Sequence, residues 1–218
     1  MMEFTGERVI EGKTPQRIYD DHVARYAFAA RYVADKTVLD AACGTGYGSA
    51  RLAEAGAGRV WGIDISPEAI AYARERYRAA NVEFLMGDIT CIPLGDDSVD
   101  IIVCLETIEH VGDHGAALRE LCRVLRPGGS LIVSTPNRTL TSPFKERGEL
   151  PDNPHHVVEL DMAEFFALLS ERFGQVALFG QRLLPRGMAG LCGSAQGSAA
   201  LMSIPPGYEA RYVTAVCG

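Results

Sequence analysis

The chain has 218 residues, a formal net charge of −7, 47% hydrophobic residues and 22% charged residues. That length suits one domain with a substantial core, and that balance is globular rather than disordered. The acidic surplus argues against broad, sequence-independent nucleic-acid binding, and no apolar run approaches the roughly 20 residues that span a bilayer.

The first predicted element is a helix over residues 15–34, opened by Pro15. Its Tyr19, His22 and Tyr26 recur at i, i+3 and i+7 and so share one face, as core packing or as a lid over a ligand. A strand is expected over 37–43, a helix over 47–56 and a strand over 59–65. The helix over 67–79 starts with Ser66 as N-cap and Pro67 at its first position. Strand 82–88, an irregular stretch and strand 99–106 follow. Helix 113–126 carries Leu118, Leu121, Cys122 and Leu125 on one stripe and leads into strand 130–135. Helix 161–173 opens with Asp161 and Glu164, spaced as a capping box, and buries Phe165, Leu168, Leu169 and Phe173. Strand 175–183 and a final strand near 211–217 close the series. Between them, residues 187–207 are rich in Gly, Ser and Ala and read as a mobile loop. Residues 1–36 form an N-terminal helical cap on this reading, and 37–218 the main domain.

Strands alternating with helices imply an α/β fold with a doubly wound parallel sheet and right-handed crossovers. The six cysteines, at 43, 91, 104, 122, 192 and 217, form no C-x-x-C. They read as small buried hydrophobes in a reducing compartment. The amino terminus lacks the basic and then apolar segments of a signal peptide, so the cytoplasm is the expected location.

The most informative stretch is Thr37–Gly48. An apolar strand ends in Asp40 and passes into a turn with glycines at 44, 46 and 48. Such a turn lets backbone approach a nucleotide-like ligand, and Gly44 and Gly46 lack the Cβ atoms that would block it. About 20 residues on, the second strand ends in Asp64, within the range expected of a ribose-binding acid. The third strand ends in Asp88 and the fourth in Glu106. Four acids in phase mark one ligand-binding sheet edge, although each alone could be a cap or a solvated turn residue.

The run Asp-Ala-Ala-Cys-Gly-Thr-Gly at 40–46, Asp64, and Gly87-Asp88-Ile89 resemble the class I S-adenosylmethionine-dependent methyltransferases. The turn Leu125-Arg126-Pro127-Gly128-Gly129 extends the resemblance, which covers residues 37 to 137 closely. An NAD fingerprint fits less well, because its third glycine position is Ser49. The resemblance implies a Rossmann-like seven-stranded sheet of order 3-2-1-4-5-7-6 with the last strand antiparallel. It also implies that Asp40, Ala42, Gly44 and Gly46 approach the methionine part of the cofactor. Asp64 would take the ribose hydroxyls and Asp88 the adenine amino group. Ile65 and Ile89 would pack on the adenine ring, with Leu105 completing the cofactor set.

Methyl transfer is an in-line displacement, so the protein must align the nucleophile and, for a hydroxyl, help remove its proton. Glu106-Thr107-Ile108-Glu109-His110 puts Glu106, Glu109 and His110 on one side of a helical turn. With the later His156 they compose a mixed oxygen and nitrogen set suited to a divalent metal such as Mg²⁺ or Mn²⁺. The pattern resembles small-RNA 2′-O-methyltransferases and, in part, ubiquinone-pathway O-methyltransferases, in which these residues bind metal. A pocket role without metal is the alternative, with Glu109 and His110 as catalytic residues. Plain packing is the third. His22 and His114 carry no such context and are expected at the surface.

The segments at 4–8, 136–138 and 153–156 resemble bacterial methyltransferases of sugars, glycans and natural products. They imply a small-molecule acceptor, held by the N-terminal helix, the 138–156 insert and the 187–207 loop. The leading expectation is O-methylation of a sugar hydroxyl or a similar small polar acceptor. N-methylation of an amino sugar or small amine is the second, and a non-catalytic cofactor-binding partner subunit the third. An RNA substrate ranks below all three, given the acidic charge.

Overall fold

The computed structural model, which describes residues 8–146, 148–186 and 199–218, gathers its strands into one eight-stranded sheet. The strands are β1 (Thr37–Ala41), β2 (Arg59–Asp64), β3 (Val82–Met86), β4 (Val99–Leu105), β5 (Leu125–Pro136), β6 (Val176–Pro185), β7 (Met202–Ser203) and β8 (Tyr208–Cys217). Their order is β3-β2-β1-β4-β5-β8-β6-β7. The first five are parallel, and β8 runs antiparallel to both β5 and β6. With the two-residue β7 set aside, this is the expected doubly wound order. The chain is α/β with a Rossmann-like methyltransferase sheet.

The helices are α1 (Gln16–Ala29), α2 (Tyr47–Glu54), α3 (Pro67–Arg76), α4 (His114–Val124), α5 (Arg138–Thr141) and α6 (Met162–Ser170). They cover both faces of the sheet, as the alternation of strand residues shows. Leu39, Ile102, Leu131 and Val133 pack with Leu118 and Leu121 of α4 and with Phe165 and Leu169 of α6. Val38, Ile101, Val103 and Ile132 point the other way, into a cluster with Tyr26, Phe28 and Ala29 of α1 and Leu52 of α2. Period-2 side-chain alternation thus splits one sheet between two cores.

Local signals explain most element ends. Ser66 Oγ accepts from Ala69 N at 3.2 Å at the start of α3, and Pro67 fills the first position. Asp161 and Glu164 form the capping box of α6, and Arg138 braces both carboxylates at 3.0 and 3.2 Å. Strand β5 begins five residues earlier than the periodicity predicts. Val99 already pairs with Leu125, and a register shift then carries the chain past Pro127-Gly128-Gly129 before Ile101 meets Ser130. That is bulge behaviour, and Gly128 supplies the φ of +77° it requires.

Part of the expected loop at 187–207 is instead ordered into the sheet, because Met202 and Ser203 pair with Gly180 and Phe179. The rest of that expectation, at 187–198 together with Cys192, lies outside the described residues. Among the described residues, no helix is long and apolar enough to cross a membrane. Cys43, Cys104 and Cys217 are buried, as expected of small core hydrophobes, whereas Cys91 is exposed.

Candidate active site

Strand order reverses between β1 and β4, the crevice where open α/β sheets bind ligands. A cavity of 420 Å³ opens there. Ala42, Gly44, Asp64, Ile65, Asp88, Ile89, Leu105 and Glu106 line it, so three of the four acid-tipped strand ends converge there. Gly44 has φ +54°, and a Cβ there would meet no other atom within 4 Å. Ile65 presents an apolar side chain that is 64% exposed at the cavity wall.

Two residues of the expected cofactor set stand behind the wall instead of in it. A Cβ on Gly46 would come within 2.6 Å of Ala73 Cβ and 2.8 Å of the Phe84 ring. Gly46 therefore serves the packing of the turn on α3 and β3, not the approach of a ligand. Asp40 is fully buried and accepts hydrogen bonds from Tyr26 Oη at 3.0 Å and Ser49 Oγ at 2.6 Å. Burial raises its carboxyl from the ordinary 3.8 to about 6 against the opposing effect of those two donors. Ser49, which breaks an NAD-type glycine pattern, is thus the partner of a buried acid. Gly48 is needed for the same cluster, since a Cβ there would lie 2.0 Å from the Tyr26 ring.

Asp64 ties the turn together from the neighbouring strand. Its Oδ2 accepts from Gly44 N at 2.8 Å and its Oδ1 from Ser66 N at 2.9 Å. Asp88 folds back on Thr90, accepting from its N and Oγ1 at 2.8 Å.

A second cavity, of 240 Å³, adjoins the first; Arg8, Val9, His22, Glu106 and His110 line both. Its own walls include Glu109, Asn153, His156, Glu159, Arg211 and Tyr212. The 152–160 segment reaches this place because Val157 N and Val158 N donate to Glu109 O at 2.8 and 3.1 Å. One ligand atom each from Glu109, His110 and His156 lies within 4.8 Å of the others. Both imidazoles are oriented through Nδ1: His110 donates to His155 O at 2.7 Å, and His156 to Glu159 Oε1 at 2.6 Å. With Nδ1 donating in both rings, Nε2 is the acceptor nitrogen, and in His156 it accepts from Asn153 Nδ2 at 2.9 Å, a bond that a metal ion there would replace.

Glu109 is buried, with Thr135 Oγ1 donating to it at 3.3 Å, and burial followed by repulsion from Glu106 pushes its carboxyl well above the usual range. A buried acid beside two imidazoles is a donor set that a divalent cation suits.

Glu106 does not join this set. It takes a left-handed φ of +50°, accepts from Ser134 Oγ at 2.7 Å and lies 3.8 Å from Arg25 Nη2. Its left-handed backbone and the Arg25 cation turn it towards α1, outside the Glu109, His110 and His156 group. Arg25 is 1% exposed, donates to Gln181 Oε1 at 2.5 Å and stacks 4.8 Å above the Tyr212 ring. Sequence reasoning missed Arg25, Gln181 and Glu159, because nothing local marks a cation or an amide that becomes buried only through tertiary packing. His22 corrects a further expectation: it lines both cavities instead of the outer surface, and His114 is half-buried at the head of α4.

Comparison with known proteins decides the family. The profile described as "Methyltransferase domain" matches residues 33–176. The chain belongs to the class I S-adenosylmethionine-dependent methyltransferases. A Mycolicibacterium smegmatis protein named as an S-adenosylmethionine-dependent methyltransferase is 40% identical over 169 residues, covering 77% of this chain and 63% of that relative. The chain therefore spans just under two thirds of that relative's length. A ubiquinone biosynthesis O-methyltransferase of Xanthomonas oryzae pv. oryzae is 38% identical over 123 residues, 52% of this chain and 48% of that one. In fold, a Thermotoga maritima methyltransferase superposes with a TM-score of 0.68 at 19% identity, covering 93% of this chain and 92% of the other.

The first cavity fits the family's cofactor. An apolar wall at Ile65, Ile89 and Leu105 suits an adenine, the carboxylates of Asp64 and Asp88 suit hydroxyl and amino donors, and Gly44 leaves backbone exposed to the ligand.

Proposed function

We propose that this methyltransferase transfers the methyl group of S-adenosylmethionine to a hydroxyl of a sugar or similar small polar acceptor, with help from a divalent metal. The carrying observation is the second cavity, which adjoins the cofactor cavity across His22, Glu106 and His110 and holds the Glu109, His110 and His156 cluster. At 240 Å³ it lies below the roughly 300–1,000 Å³ of drug-sized ligand pockets, which favours a small acceptor. Carboxylates, imidazoles, an asparagine and an arginine in its wall suit a ligand rich in hydroxyls.

An alcohol barely ionises at neutral pH, so O-methylation needs a base or a metal beside the hydroxyl. Glu109, His110 and His156 would hold the ion, which lowers the pKa of a hydroxyl placed next to it. Asp64 and Gly44 hold the turn that positions the cofactor. Glu159, fixed by Thr141 Oγ1 at 2.5 Å and Ser142 Oγ at 2.8 Å, keeps the His156 ring in place. Relatives that match about half of the chain, 45% and 52% of it, include O-methyltransferases, which supports the choice of an oxygen acceptor.

The test uses tritiated S-adenosylmethionine with a pool of D-glucose, D-mannose, D-galactose and L-rhamnose. Turnover should disappear in EDTA, return with added Mg²⁺ or Mn²⁺, and be lost in Glu109→Gln while cofactor binding persists. Full turnover in EDTA overturns the metal; no transfer to any sugar in the pool overturns the acceptor class.

A further inference from the structure

The wall between the two cavities is where cofactor and acceptor must meet, and its residues are Arg8, Val9, His22, Glu106 and His110. Three of these side chains can accept a proton. The Glu106 carboxylate is engaged by Ser134 Oγ at 2.7 Å and by Arg25 Nη2 at 3.8 Å. His110 donates Nδ1 to His155 O and belongs to the Glu109, His110 and His156 cluster. His22 is the third, and it makes no hydrogen bond or ion pair with any described residue.

Its placement is secured by its neighbours on α1. Asp21 pairs with Arg182 at 2.7 Å, Arg25 donates to Gln181, and Tyr26 packs on Gly48 and donates to Asp40. A helix anchored on both sides of position 22 presents that residue to the cavities. Burial, with the Arg25 cation second, holds the His22 ring well below the usual histidine pKa, so it stands neutral near pH 7.

Resting on the O-methylation reading above, we propose that His22 is the catalytic base of the methyl transfer. As the acceptor oxygen bonds the methyl carbon, the carbon–sulfur electron pair returns to the sulfonium sulfur, which leaves as a neutral thioether. The hydroxyl proton passes to His22 and from there to water. A positioned base of this kind contributes about 10²–10⁴-fold in rate.

Two measurements on the full chain test this. Diethyl pyrocarbonate, which acylates neutral imidazole, should modify His22 in the free protein and do so several-fold more slowly with sinefungin bound. An unmodified His22, or one indifferent to sinefungin, overturns its place in the cavity. With the sugar pool, His22→Ala should lose about 10²–10⁴-fold in kcat, keep the wild-type Kd for S-adenosylmethionine, and regain rate with added imidazole. His22→Gln, matched to wild type in melting temperature, guards against misfolding. A His22→Gln rate within twofold of an active wild type overturns the base and leaves O-methylation standing. Loss of cofactor affinity in step with rate assigns His22 to binding and also overturns it. A wild type that methylates no sugar removes the O-methylation reading itself, and His22 as its base with it.

Discussion

Tyr26→Phe removes one hydroxyl from a buried acid and leaves the ring in place, packed edge-on to Tyr47 at 5.3 Å. In the wild type, Asp40 titrates near 6 when folded against an ordinary 3.8. The folded value is the higher one, so the folded state binds the proton more readily. That contribution to stability is full below pH 3.8 and is lost as pH rises through about 6, a difference of about two units, or about 3 kcal/mol. The Tyr26 bond opposes that loss, because it favours the ionised carboxylate. At pH 8 its removal should cost about 1.5–3 kcal/mol, the range for a hydrogen bond to a charged group. At pH 5, with Asp40 mostly protonated, the cost should fall to about 0.5–1.5 kcal/mol. Urea unfolding at the two pH values reads this difference of about 1 kcal/mol directly, and the Asp40 carboxyl resonance should titrate higher in the variant. Equal destabilisation at both pH values, or an Asp40 that titrates near 4 in both proteins, would refute the argument.

Gly48→Ala would drive a methyl group into the Tyr26 ring 2.0 Å away, so a loss of about 1–3 kcal/mol should appear in urea melts, together with weaker cofactor binding. Asp64→Ala removes the acceptor for Gly44 N and Ser66 N as well as a cavity carboxylate. Calorimetry should show S-adenosylmethionine affinity falling by about 1.5–3 kcal/mol, and the melting temperature should drop because the turn is also released. Glu159→Gln unlocks the His156 ring, so Mn²⁺ affinity followed by electron paramagnetic resonance should weaken about 10–100-fold, with cofactor affinity unchanged.

The strands and the binding edge were legible because they depend on local pattern. Apolar runs ending in Asp64, Asp88 and Glu106 bring three carboxylates to the cavity, whereas Asp40, at the end of the first run, is buried behind it. Caps were equally readable, as Ser66 and Asp161 show, since the residues that make them are neighbours in sequence. What escaped depends on contacts distant in the chain. Gly46 looks like a ligand-facing glycine until Phe84 and Ala73 arrive against it. Glu106 shares a helical-turn spacing with Glu109 and His110, yet its left-handed backbone and Arg25, 81 positions earlier, turn it aside. His22 sits on a stripe visible in the sequence beside Tyr19 and Tyr26, but periodicity cannot say whether a stripe meets a core or a cavity. Here Tyr26 meets both and His22 meets the cavities.

The central claim is that a methyl group crosses from the first cavity to a hydroxyl in the second. The direct measurement supplies S-adenosylmethionine carrying a CD₃ group, together with the four-sugar pool and D-glucosamine, and reads the product by mass spectrometry and NMR. The account predicts an O–CD₃ ether on a sugar, formed only when divalent metal is present. An N–CD₃ amine on glucosamine, or label that never leaves the cofactor, would contradict it.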